Sequence, residues 1–82
     1  RGHTEPYDER KVYASVYSAA LNSHMSEKPS EKLASSVSKK VSAKVRKGKD
    51  VSSHEIRDWI VDELGGLDND VAFLYVHHLD IN

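Results

Sequence analysis

The chain is predicted to be mainly α: a four-helix bundle with a small β-sheet cap formed by its N-terminal segment. Three observations carry this. Four stretches show apolar residues at helical spacing, separated by short turn signals. Two of them open on strong capping patterns. The first residues, Gly2-His3-Thr4-Glu5-Pro6-Tyr7, are too short and too rich in Gly and Pro for a helix. They read as an edge strand or extended arm, because proline cannot donate to a central ladder.

Taken in order, Asp8 is a good N-cap for a helix from about Glu9 to Asn22. Its apolar stripe is Val12, Ser15/Val16, Ala19 and Ala20, with Tyr13 and Tyr17 one position along, and Asn22-Ser23-His24 ends it. The second helix starts between Ser26 and Glu31, with either Pro29 in its first turn or Ser30 as its cap, and runs to about Lys47. Leu33, Val37, Val41 and Val45 recur every four residues with Ala34 beside them. Ser35, Ser36, Ser38, Lys39, Lys40 and Lys44 are assigned to the other face. Lys44, Arg46 and Lys47 suit the negative end of the helix dipole, and Gly48 is a natural C′ residue. In the third helix Ser52 and Glu55 form a capping box and Val51 and Ile56 a hydrophobic staple. Ile56, Trp59, Ile60 and Leu64 form its buried stripe, and Gly65-Gly66 is expected to stop it. Leu67 and Asp68 repeat the staple-and-cap pattern for a fourth helix from about Asn69 to Leu79, with Val71, Ala72, Leu74, Tyr75 and Leu79 as its apolar residues.

Composition bounds the function. Eighty-two residues with 30% charged and 38% hydrophobic side chains predict one soluble, cytoplasmic domain with a small core. Such a chain has no room for a deep enzyme cleft. Nothing approaches the roughly 18 consecutive apolar residues that a membrane span needs. No apolar stretch follows Arg1 to suggest a signal peptide, and the missing initiator Met suggests a domain cut from a longer chain or a processed one. The absence of Cys excludes disulfides and thiolate metal sites, zinc-finger DNA readers included. The net charge of -1 conceals an asymmetry. Residues 1–49 carry eleven basic against five acidic residues, a net of +6, and residues 50–82 one basic against eight acidic, a net of -7. Two readings stand: a polyanionic partner, or halves that attract each other within the fold.

Most reactive-looking residues have plain explanations. No Walker-type loop is present, so a P-loop site is excluded and Gly65-Gly66 is a helix stop. His54 and His77-His78 lack convincing ligand spacing and read as solvated or half-buried; no metal site is expected. No nucleophile elbow surrounds any Ser, so no catalytic residue is assigned and the module is not expected to be an enzyme. Trp59 reads as core. The cluster Lys39, Lys40, Lys44, Arg46, Lys47, Lys49 reads as a solvated face, with nucleic-acid phosphates as the alternative. What remains is a group near element ends: the cations Arg1, Lys11 and Arg57 with Glu5, Asp8 and Ser53 beside them. Because a helix start offers free N–H groups and a positive dipole end, an arm folded across the first helix would make a shallow phosphate-binding pocket.

Three blocks in order resemble a known family. Gly2-x-x-Glu5-x-Tyr7-Asp8-x-x-Lys11-Val12, Val51-Ser52-Ser53-His54-Glu55-Ile56-Arg57-Asp58 and Leu67-Asp68-x-Asp70-Val71-Ala72-Phe73-Leu74-Tyr75 are similar to the opening, third helix start and closing segment of the ATP-cone domain. The resemblance spans nearly the whole chain. It implies a four-helix bundle under a small sheet, binding ATP or dATP as an allosteric effector, as at the front of ribonucleotide reductase large chains. Mg2+ is a candidate companion of the nucleotide, and no tightly bound cofactor is implied. On the family's pattern Lys11 would contact the triphosphate, Glu5 and Asp8 the base or ribose region, and Ser53 and Arg57 would face them from the third helix. Arg1 would be the remnant of a basic first strand, most of which is missing from this chain. The implied partners are the nucleotide, the remainder of a parent protein and, as a candidate, a second copy; no membrane is implied, and nucleic acid is disfavoured. The alternative function is a helical module that binds protein or nucleic acid through its basic second helix.

Overall fold

The computed structural model describes residues 7–48 and 51–81, with side chains through His77. Its elements are α1 (Glu9–Asn22), α2 (Glu27–Lys47), α3 (Ser53–Leu67) and α4 (Asn69–Ile81). Each helix pairs with its neighbours in sequence, and α4 returns to pack on α1, so α1 and α3 stand diagonally opposed around the bundle. The connections are short, so consecutive helices run antiparallel.

The sheet cap expected at the N terminus is corrected. Among the described residues there are four helices and no strand. A sheet needs a second strand to satisfy its ladder, and the described connections between helices are too short to supply one. The segment 1–6 to which the cap was assigned lies outside the described residues.

Local chemistry sets the helix ends. Asp8 caps α1 by accepting from the Arg10 amide at 3.0 Å. At the other end the Met25 amide donates to the Ala20 carbonyl and the His24 amide to the Leu21 carbonyl, a Schellman motif. Its left-handed residue is His24, at φ 72°. For α2 the open choice resolves to Ser26 as N-cap, with Pro29 in the first turn, where its missing N–H has no intrahelical acceptor to lose. Gly48 ends α2 in extended rather than left-handed backbone. A Cβ there would stand 2.7 Å from Val51 Cγ2, so glycine serves close approach. The α3 capping box forms as expected, Ser52 Oγ accepting from the Glu55 amide and the Glu55 carboxylate from the Ser52 amide. Gly65-Gly66 does not stop α3, a second correction. The helix runs to Leu67 because the Asp68 amide closes the last turn onto the Leu64 carbonyl at 2.7 Å. Asp68 then turns extended and caps α4 through the Asp70 and Val71 amides.

The core is built of small residues: Val12, Val16, Ala19 and Ala20 from α1, Ala34, Val37 and Val41 from α2, Ile60 and Leu64 from α3, Val71 and Tyr75 from α4. Trp59 and Ile56 are half-buried against it. Ser38, assigned by periodicity to the outer face, is instead buried, as are Ser30 and Ser42. With Ala34 they form a small-residue row, one per turn, on the helix that packs most extensively on α1. Small side chains there let the two backbones approach closely.

Candidate functional site

The antiparallel order brings the start of α1, the end of α2 and the start of α3 to one end of the bundle. The level is marked by Tyr7, which precedes α1 and whose hydroxyl lies 2.7 Å from Ser42 Oγ on α2. Arg46 and Lys47 lie in the last turn of α2, one turn beyond Ser42, and α3 begins at Ser53.

Of the residues selected from sequence, Asp8, Lys11, Ser53 and Arg57 are described, and all four belong to this end. Arg1 and Glu5 lie outside the described residues. Lys11 is exposed in the first turn of α1, Ser53 is the exposed first residue of α3, and Arg57 is exposed one turn further on. Asp8 is committed to capping and to Arg10, whose guanidinium stands 3.3 Å away. The Arg10 side chain, then its amide, holds the Asp8 carboxyl below the usual carboxylate range.

The electrostatics of this end favour anions. Two helices, α1 and α3, begin here, each presenting the positive end of its dipole. The α3 capping box occupies the Ser52 and Glu55 amides; those of Ser53 and His54 precede the first intrahelical acceptor and point outward. Lys11, Arg46, Lys47 and Arg57 form no ion pair with any described residue. Tyr7 and Tyr75 brace the surroundings from below. Burial raises the Tyr7 hydroxyl above the ordinary tyrosine value, while the Ser42 hydroxyl opposes the shift and, more weakly, so does the charge of Arg46. Burial raises Tyr75 likewise, with the hydroxyl of Ser15 and the charge of Arg57 opposing it.

The basic second helix divides into two parts. Lys40 and Lys44 reach Glu63 of α3 at 3.6 and 3.7 Å, and Lys44 also sits 5.8 Å above the Trp59 ring. Here the two halves of the chain do attract each other, as one of the two charge readings expected. Sequence reasoning did not select Tyr7, Ser42 or Arg46 for the nucleotide site: Tyr7 entered only within the first family block, and Arg46 as a dipole partner and a member of the basic cluster. Their signal was the spacing of four between Ser42 and Arg46, which places both on one side of α2. Among the described residues, no three of His, Asp and Glu converge as metal ligands, and no helix is long and apolar enough to cross a membrane. His54 and His77 are exposed, His77 stacking on Phe73 at 5.9 Å; the His78 side chain lies outside the described residues.

One end of this small helical bundle thus gathers two helix N-termini and exposed cations, an arrangement that favours anions. Compared with protein families, the chain matches the ATP cone domain over residues 1–77, and it belongs to that family. An ATP cone is a nucleotide-binding regulatory domain and not a catalytic one. Neither the curated proteins nor the solved structures compared with the chain gave a match.

Proposed function

We propose that ATP or dATP binds across the end of the bundle where α1 and α3 begin, and that occupancy is passed to an attached enzyme or regulator in the cytoplasm. One observation carries this placement: the antiparallel order puts Lys11 in the first turn of α1 at the same end of the bundle as Ser53 and Arg57 in the first turns of α3. The family match over 77 residues supports a nucleotide as the anion. Lys11 and Arg57 supply charge-assisted contacts to the phosphates, and the first amides of α3 supply neutral donors. Asp8, held by Arg10, keeps a free lone-pair side for a ribose hydroxyl, and the family pattern adds Arg1 and Glu5 to the ligand set. A Mg2+ at this site would be carried by the triphosphate, as that ion is with other phosphate ligands. Regulation then needs only a difference in nucleotide affinity between two states of the parent assembly, whether the second partner is the remainder of a longer chain or a second copy.

Calorimetric titration of the chain with ATP tests the placement. Lys11→Ala is expected to weaken ATP binding by about 1.5–3 kcal/mol, the loss of a charged hydrogen bond. Unchanged affinity in a folded Lys11→Ala chain contradicts it.

A further inference from the structure

Resting on that nucleotide reading, we propose that Arg46, at the end of α2, is a further phosphate-contacting residue that reads the length of the phosphate chain. Three observations converge on it. First, the bond between Tyr7 and Ser42 ties the residue before α1 to the last turns of α2, and Arg46 stands one turn beyond Ser42, about 6 Å further along the helix toward its C-terminal end. Second, the i, i+4 spacing puts Arg46 on the side of α2 that carries Ser42, the side turned toward Tyr7 and the start of α1. The influence of its charge on the Tyr7 hydroxyl agrees with that direction. Third, Arg46 is exposed and makes no ion pair with a described residue, whereas Lys40 and Lys44, further down the same helix, are held by Glu63.

A cation in the last turn of a helix also has a duller use, complementing the negative dipole end. The two roles differ in what they respond to. A dipole partner changes helix stability and is indifferent to ligand. A phosphate contact changes affinity, and changes it more for a triphosphate than for a monophosphate, because guanidinium binds the doubly pronged phosphate edge that a longer chain extends toward it.

The test is calorimetric titration of the full 82-residue chain, wild type, Arg46→Ala, Arg46→Lys and Lys32→Ala, with ATP, ADP and AMP. Lys32 is an exposed cation about 21 Å away along the same helix and controls for net charge. Arg46→Ala is expected to lose about tenfold or more in ATP affinity, with a smaller loss for AMP. Arg46→Lys should recover part of it, and Lys32→Ala should stay within about twofold of wild type. Circular dichroism confirms that each variant is folded. ATP affinity unchanged in Arg46→Ala, or lowered equally by Lys32→Ala, overturns the role of Arg46 while leaving the nucleotide site in place. Failure of the wild-type chain to bind ATP overturns both.

Discussion

Single residues carry strain and commitments that the helical pattern does not display. His24 holds a left-handed backbone at φ 72°, where a side chain crowds the following carbonyl. Glycine removes that crowding at the cost of a freer unfolded chain. His24→Gly is therefore expected to stabilise the fold by about 0.5–1 kcal/mol, read from urea unfolding. Ser30 is buried and its hydroxyl has no partner among the described residues. Its place is explained by size, since it begins the small-residue row against α1. Asp8 shows the limit of residue-by-residue reading. The same carboxylate was legible as a cap from its type and position, and as a ligand group from the family pattern, but its engagement by Arg10 two residues on was visible only in three dimensions.

At the scale of elements, capping chemistry was the most readable signal. Asp8, Ser52 and Asp68 each have a short acceptor side chain at the edge of an apolar repeat, and each caps the helix expected of it. Glycine was the less reliable sign. Gly65 and Gly66 continue α3 with no positive φ and with no atom within 4 Å of an added Cβ. What ends the helix is the extended backbone of Asp68, needed as the cap of α4. Gly65→Ala is accordingly expected to stabilise the protein by about 0.5–1 kcal/mol, checked by thermal or denaturant unfolding, where a true helix stop would be destabilised. The buried face of α2 was misassigned at Ser38 because hydropathy ranks serine as outward. Where two backbones meet closely, size outweighs polarity, and Ser38 settles its hydroxyl on the Ser35 carbonyl. The sheet cap was expected wrongly for a different reason: a short Gly- and Pro-containing segment argues against a helix without supplying a pairing strand, and none stands among the described residues.

For the whole molecule, order of helices matters more than any one of them. Tyr75 of α4 is buried at the centre, facing Ser15 of α1 and the charge of Arg57 on α3. Its hydroxyl is held above the free value of 10.0. Between the unfolded and folded values the unfolded chain has lost a proton that the folded chain keeps, so stability is fully present below pH 10 and falls as pH rises beyond it. Tyr75→Phe should flatten that alkaline decline in urea unfolding measured from pH 8 to 11; an unchanged slope would place the effect elsewhere. The candidate site belongs to this scale too. Lys11, Ser53 and Arg57 could be picked out by family pattern, but their placement at the same end of the bundle depends on the antiparallel sequence of helices, and the cations of α2 were divided between structure and surface only by the position of Glu63. The central claim, a nucleotide seated over the end where α1 and α3 begin, is tested most directly by two-dimensional NMR titration of the chain with ATP. The account predicts shifts concentrated at Asp8, Lys11, Ser53, His54 and Arg57 and at the last turn of α2. Saturable shifts confined to the opposite end of the bundle, around His24 and Leu67, or none at millimolar ATP, would contradict it.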